Sequence, residues 1–147
     1  MKYTEKEINL CKEIARYYRK PINEYEPVIA SWPNVRDVTG LLLSKKDGSV
    51  LCKNKRLLYP YPFYPKKIIP LWTWEEAREW LRKRGGVLID LTEWSDGRIV
   101  CEIAFNPEKH KDSGWSCPAE NLITKEGKTD LEAILKVVLA VLKKEQE

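Results

Sequence analysis

The stretch from Lys53 to Lys67 has the residue types that could bind a phosphate-bearing ligand. Tyrosine and phenylalanine rings are interleaved with prolines along it, and basic residues flank both ends. Aromatic rings stack on nucleobases, while lysine and arginine side chains meet phosphate oxygens. From this stretch, called the aromatic strip below, and from the end of a predicted hairpin we select the candidate ligand residues Lys55, Arg56, Tyr59, Tyr61, Tyr64, Lys66, Lys67, Trp94 and Arg98.

The aromatic strip also has a purely structural interpretation. Pro60, Pro62 and Pro65 exclude a helix or a central strand, because proline lacks a backbone N–H donor. We therefore expect an extended crossing of the surface, in which the rings cover the hydrophobic core while the lysines stay solvated. In the binding interpretation Arg56 is the strongest phosphate candidate, because its planar donors match two phosphate oxygens.

Recognised catalytic motifs are absent from the sequence. It has no glycine-rich phosphate-binding motif, no zinc-protease motif and no serine-hydrolase elbow. The one histidine, His110, lies among lysines in a predicted polar loop. Asp90, Glu93 and Glu102 could form a carboxylate cluster, but antiparallel sheets commonly expose a polar face of this kind. We therefore expect a protein that is not an enzyme, with no catalytic residues and no cofactor.

The four cysteines lack the spacing of a metal site. They are widely separated and include no C-x-x-C pair. A zinc site from Cys101, His110 and Cys117 would match no standard ligand pattern. We expect four free thiols and no bound metal, as is usual for a protein of a reducing compartment.

Composition and charge describe a folded protein of modest charge. The chain has 147 residues, 43% apolar and 33% charged, which fits one ordinary domain. No apolar run approaches the roughly 20 residues of a membrane span, and the start of the chain has no hydrophobic signal core. We therefore expect a cytoplasmic protein without a membrane partner. A net charge of +4 permits phosphate binding but is small for an extended nucleic acid.

Three capping boxes mark the starts of three helices. Each has a threonine followed three residues later by a glutamate, a spacing at which both side chains bond exposed backbone amides. Apolar residues then recur at helical spacing. The predicted helices are 5–20, 74–85 and 130–144, and their capping pairs are Thr4 with Glu7, Thr73 with Glu76, and Thr129 with Glu132.

Turn signals predict antiparallel strands between the helices. Asp96-Gly97 joins strands 87–94 and 98–105, and Asp47-Gly48 is the tip of a second hairpin. Gly114–Cys117 is the candidate third strand, and Asn121–Lys128 is interpreted as a loop.

These elements predict an α+β fold, a mainly antiparallel sheet covered by helices. We expect one domain, 1–147, in which 1–68 holds the first helix and an irregular hairpin region and 69–147 holds a helix–hairpin–strand–helix core. The last helix is apolar around most of its circumference, so it is expected to cover the sheet and to contribute to a homo-oligomer.

Four segments from Ile69 onward form a recognisable pattern: Ile69–Trp74, Glu79–Leu81, Asp130–Leu135 and Val138–Leu142. Through these segments, roughly half of the chain resembles the phage ABA-sandwich-like group of small bacteriophage and prophage proteins. The resemblance implies an α/β sandwich and a viral or prophage origin, hence the cytoplasm of an infected or lysogenic bacterium. It implies no catalytic residues.

Three functions remain open at this point. The favoured one is a non-catalytic phage accessory protein that binds a phosphate-bearing small ligand and sequesters a host-defence nucleotide signal, an anti-defence role. The alternatives are a nucleic-acid-binding accessory protein that uses the same strip, which is less favoured, and a protein–protein inhibitor or structural phage component with aromatic anchors.

Overall fold

The computed structural model describes residues 2–32, 35–42, 50–52, 57–58, 67–112 and 114–147. The α-helices within these ranges are α1 (Glu5–Ile14), α2 (Trp74–Arg82) and α3 (Asp130–Glu145), and a 3-10 turn spans Ala119–Asn121. The strands are β1 (Pro27–Trp32), β2 (Val35–Leu42), β3 (Val50–Cys52), β4 (Leu57–Leu58), β5 (Lys67–Pro70), β6 (Gly86–Glu93), β7 (Ile99–Phe105), β8 (Glu108–His110), β9 (Gly114–Ser116) and β10 (Leu122–Gly127).

The chain divides into two compact units. Met1–Leu10 groups with Thr73–Glu147 as the C-terminal unit, and Cys11–Trp72 forms the N-terminal unit. All strand pairs of the described residues are antiparallel. The predicted α+β class with mainly antiparallel sheet is therefore confirmed. The single domain, 1–147, stays a prediction.

The C-terminal unit is built on the predicted Asp96-Gly97 hairpin. Its three-stranded sheet has the order β10-β7-β6, and both α2 and α3 pack on it. Trp94 N donates to Arg98 O at 2.7 Å and Gly97 N donates to Trp94 O at 2.9 Å, which closes the turn with Gly97 at φ +89°. This geometry is the type I turn with a left-handed glycine that three-residue hairpin loops favour. Both predicted strands are confirmed.

The third strand of this sheet is β10, whereas the predicted strand at Gly114–Cys117 does form, as β9, but in another sheet. β10 pairs with β7 along its whole length, whereas β9 pairs with β8 in a separate two-stranded sheet. The prediction of a loop over Asn121–Lys128 is therefore wrong. β10 is an edge strand whose Thr124, Lys125 and Glu126 stay exposed, so a polar sequence is compatible with its pairing.

The three predicted caps form at the helix starts. In the two boxes at Thr4 and Thr73, the glutamate accepts from the threonine amide while its own amide donates to the threonine hydroxyl. At α3 the Glu132 amide donates to Thr129 Oγ1, but the Glu132 carboxylate accepts from Lys128 N instead. Each of these helix starts is thus fixed by local sequence, with one difference in partner.

The first helix ends at Ile14, six residues before the predicted end at residue 20. Ala15 to Tyr17 form a turn. The residues after this turn do not extend the helix but contact other residues of the N-terminal unit. The Tyr18 ring lies 6.0 Å from the Trp72 ring, and Arg19 donates to the Ile68 carbonyl. These tertiary contacts explain why the chain leaves the helix before Pro21.

The N-terminal unit contains a five-stranded sheet of order β4-β3-β2-β1-β5. Val28, Ala30, Leu42 and Val50 form its buried apolar cluster, with Ile22 and Ile68 packed against them. β2 and β3 pair as predicted, while the Asp47-Gly48 tip lies outside the described residues.

The last helix buries its apolar residues within the chain. All of its leucine, isoleucine and valine residues are buried, and none of them is more than 8% exposed. The apolar circumference that suggested an oligomer is therefore used inside one chain. The homo-oligomer stays a prediction, without that support.

Candidate functional site

The aromatic strip is described only at Leu57, Leu58 and Lys67. The candidates Lys55, Arg56, Tyr59, Tyr61, Tyr64 and Lys66 lie outside the described residues. Lys67 begins β5, and Leu57–Leu58 form β4. β4 and β5 lie at opposite edges of the five-stranded sheet.

A cleft of about 350 Å³ opens beside β5, in the N-terminal unit. Ile68 and Pro70 contribute to it from β5, directly after Lys67. The other described residues lining it are Arg19, Lys20, Ile22 and Leu42. Its volume lies in the lower part of the range typical of small-ligand sites, which are mainly apolar with a few placed polar groups.

The two cations of this cleft have different surroundings. Arg19 is exposed, and one of its guanidinium nitrogens makes a long hydrogen bond of 3.5 Å to the Ile68 carbonyl. Lys20 is only 6% exposed. Its ammonium lies 3.8 Å from a Glu26 carboxylate oxygen and 6.0 Å from the centre of the Trp72 ring. Lys20 is therefore held in place, whereas Arg19 can turn its planar donors toward a ligand.

Tyr25 has a strained backbone conformation, and its amide bonds a residue that lines this cleft. Its φ is +67°, a region that non-glycine residues rarely adopt, and its side chain is 71% exposed. The turn is held by the Asn23 side chain, which donates to Glu26 Oε1 at 3.0 Å, and by the Tyr25 amide, which donates to the carbonyl of Leu42, a residue of the cleft. Strain at an exposed aromatic ring suggests a binding role.

Sequence reasoning missed Arg19, Lys20 and Tyr25. Arg19 and Lys20 follow the apolar stripe of α1 in the sequence, so their position predicts exposed residues at the end of that helix. The available signal was the pair of cations immediately before Pro21, since a proline there directs the chain out of the helix.

Trp94 and Arg98 do come together, at the tip of the β6–β7 hairpin. The Arg98 guanidinium lies 4.5 Å from the centre of the Trp94 ring. Arg98 also bonds Asp96 Oδ2 at 2.8 Å and Glu126 Oε2 at 3.0 Å. The hydrogen bond from the backbone amide of Arg98 is the largest cause that lowers the pKa of the Asp96 carboxyl; burial opposes it, and the Arg98 guanidinium lowers the pKa further. Two carboxylates thus occupy the arginine, and the pair offers little to a phosphate.

The carboxylates of the hairpin separate into two groups. Asp90 and Glu102 are directly opposite in the β6–β7 ladder, and Thr92 and Thr124 donate to them from the neighbouring positions. Glu93 pairs with Ile99, which places it on the other face of the sheet. The predicted three-carboxylate cluster is therefore a pair.

The residues around His110 make a small polar site on the β8–β9 sheet. His110 Nε2 lies 2.8 Å from Ser116 Oγ, and both side chains are exposed. Among the residues that the structure describes, no group of three or more metal-binding side chains lies together. None of Cys11, Cys101 and Cys117 is in a disulfide, while the side chain of Cys52 lies outside the described part.

Comparison with known proteins adds no relative. No family model matches the sequence, and no curated protein or solved structure is significantly similar to it. The phage resemblance therefore stays a prediction. None of the helices formed by the described residues has the length and apolar content that a bilayer crossing needs.

Proposed function

We propose that this protein binds a phosphate-bearing small ligand in the cleft beside β5 and does not convert it. The observation that supports the proposal best is the placement of Arg19 and Lys20 in a largely apolar cleft next to Lys67, the last residue of the aromatic strip. The cleft is identified from the geometry of the described residues and the strip from the composition of the sequence, so they are independent observations. The strip ends at Lys67, and the next residue, Ile68, lines the cleft.

Phosphate binding is assigned to the cations of the cleft and strip. Arg19 is the accessible guanidinium, and Lys20 supplies a fixed positive charge. Lys67 is the strip cation next in sequence to the cleft, whereas Arg56 immediately precedes β4, which lies at the opposite edge of the sheet. Arginine can donate two parallel hydrogen bonds to a phosphate, whereas lysine acts as a point charge.

The base of a nucleotide would stack on an exposed tyrosine. Tyr25 is the described candidate, and Tyr59, Tyr61 and Tyr64 are the strip candidates. Stacking of one base contributes about 1–3 kcal/mol. The proposal does not use Trp94 and Arg98, which belong to the C-terminal unit, and Asp96 and Glu126 already bond the Arg98 guanidinium.

A nucleotide signal is the favoured ligand, and sequestration of a host-defence signal in an infected bacterium is the favoured role. This part of the proposal rests on the phage resemblance. Extended nucleic acid is the second candidate for the same surface. The net charge of +4 favours the smaller ligand, since two or three cations suffice for it.

Titration calorimetry with cyclic and linear nucleotides tests the proposal. We expect affinity to fall with added salt and to fall at least tenfold in Arg19→Ala. Arg98→Ala is the matched control, an exposed arginine already bonded to carboxylates, and should bind as the natural protein does. Absence of binding at millimolar nucleotide, or an equal loss in both variants, would refute the site.

The recovered ligand distinguishes binding from catalysis. After incubation with protein, chromatography should return the nucleotide unchanged. Conversion to a product would contradict the non-catalytic role and would direct attention to His110 and Ser116, whose side chains already share a hydrogen bond. Equal affinity for inorganic phosphate and for nucleotides would show that no tyrosine ring stacks on the base.

A further inference from the structure

β6 is an edge strand of the C-terminal unit with an open side. In the part of the chain that the structure describes, β6 pairs with β7 alone. The opposite edge differs, because on β10 the Lys136 ammonium bonds the Glu126 carbonyl at 2.7 Å. Open edges present unpaired amides and carbonyls to which another extended chain can bond.

The hairpin turn shows which backbone groups face outward. Trp94 and Arg98 are a hydrogen-bonded pair, since Trp94 N donates to Arg98 O. Hydrogen-bonded pairs alternate along an antiparallel ladder, so Thr92 and Asp90 direct their backbone groups toward β7. Leu91, between them, therefore directs its amide and carbonyl to the open side, as does Glu93.

Exposed apolar side chains accompany this open edge. Val87 is 46% exposed, Leu91 40% and Trp94 49%. Val87 and Trp94 belong to one face of the sheet and Leu91 to the other, according to the β7 partners of Val87 and Leu91 and the backbone bond between Trp94 and Arg98. An added strand would find apolar contacts on both faces, and a partner with apolar side chains on each of its two faces would make them.

The charge around the edge is negative. The only charged residues of β6 are Asp90 and Glu93, and Glu102 lies directly opposite Asp90. The nearby Arg98 is bonded to both Asp96 and Glu126. A second copy of β6 would bring like charges to this edge, whereas a basic segment would be attracted.

We propose that β6 is the docking edge for a protein partner, an extended segment that carries both basic residues, lysine or arginine, and apolar residues on each of its two faces. The segment adds to the sheet as a fourth strand, bonding the outward groups of Leu91 and Glu93. Its cations face the carboxylates of β6, and its apolar side chains contact Val87, Leu91 and Trp94. This surface is independent of the proposed phosphate cleft.

Peptide titration with hydrogen exchange tests the docking edge. The probes are two capped octapeptides, Lys-Lys-Val-Val repeated twice and Glu-Glu-Val-Val repeated twice, because this pairwise order places charged and apolar side chains on both faces of an extended strand. The lysine peptide should bind and should slow amide exchange at Leu91 and Glu93, while the glutamate peptide should not bind at the same concentration. Binding should weaken as salt is added.

Two variants with matched controls make the test specific. Leu91→Pro removes an outward amide but no bond to β7, and should lower affinity at least tenfold, whereas Leu91→Val keeps the amide and should bind nearly as the natural protein does. Glu93→Lys should also lower affinity at least tenfold. Glu108→Lys, the same charge change on β8, should not, and circular dichroism confirms that each variant is folded.

Three results would overturn the proposal. The first is that the glutamate peptide binds as tightly as the lysine peptide. The second is that the Leu91→Pro and Glu93→Lys variants, each tested singly, both bind with the affinity of the natural protein. The third is that the peptide slows amide exchange elsewhere than in β6. A dimer that forms without peptide and is dissociated by Leu91→Pro would identify a second copy as the occupant instead.

Discussion

Glu7 and Thr129 connect the beginnings of α1 and α3 within the C-terminal unit. The Thr129 hydroxyl donates to Glu7 Oε2 at 2.7 Å, while Glu7 Oε1 accepts from the Thr4 amide at 2.7 Å. Glu7 is only 5% exposed. One carboxylate thus caps its own helix and also bonds the residue that caps another, 122 positions away.

Glu7→Ala should therefore destabilise the protein by about 2 kcal/mol, the loss expected when a cap and a buried hydrogen bond are both removed. Urea denaturation gives the change in free energy of unfolding. Glu5→Ala, an exposed acidic residue of the same helix, is the control and should cost less than about 0.5 kcal/mol. Equal losses would show that the Thr129 bond contributes nothing.

Two glycines with similar backbones should respond differently to alanine. Gly97 has φ +89° and open space where the alanine methyl group would lie, so Gly97→Ala should cost only the left-handed penalty, about 1 kcal/mol. Gly85 has φ +84°, and an added carbon would collide with the Asn106 side-chain amide. Gly85→Ala should lower the free energy of unfolding, measured by thermal denaturation, at least twice as much as Gly97→Ala does. Similar losses would contradict the predicted collision.

The Cys101 thiol should make stability fall at high pH. Burial, helped by the charge of Asp90, raises its pKa from 9.0 to about 11. Because the folded pKa is the higher one, this contribution is complete below pH 9 and is lost as pH rises toward 11. Urea denaturation at about pH 8 and about pH 10.5 should show a smaller decrease for Cys101→Ala than for the natural protein.

Alkylation gives an independent check on the same thiol. At about pH 8, iodoacetamide should modify the half-buried Cys117 well before Cys101. Mass spectrometry of the digested protein reports both rates. Faster modification of Cys101 would show that its surroundings are open to solvent.

Tyr25 should separate stability from binding. Glycine adopts its φ of +67° without strain, so Tyr25→Gly should raise the free energy of unfolding by about 0.5–1 kcal/mol. The same change should weaken the binding of nucleotides more than the binding of inorganic phosphate, since it removes the ring on which a base would stack. Tyr25→Phe keeps ring and strain and should match the natural protein in both measurements. A Tyr25→Gly variant that binds nucleotide fully would remove Tyr25 from the proposed site.

Local signals determined most helix starts and one hairpin. A threonine and a glutamate three residues apart cap a helix using only atoms of the same turn, as at Thr73 and Glu76. Asp96-Gly97 fixes its turn in the same way, because glycine supplies the left-handed residue that the loop needs. These interactions involve neighbours in sequence, so the sequence by itself predicted the α+β class and the elements around the hairpin.

Contacts between distant residues decided the rest. β10 is a strand because β7 offers it a partner, although its own polar residues resemble a loop. α1 ends at Ile14 because Tyr18 and Arg19 find partners near Trp72 and Ile68, about 50 residues away. The cleft that places Arg19 and Lys20 beside β5 arises from the same contacts. Pairing and burial depend on which surfaces meet, and no local spacing in the sequence encodes that.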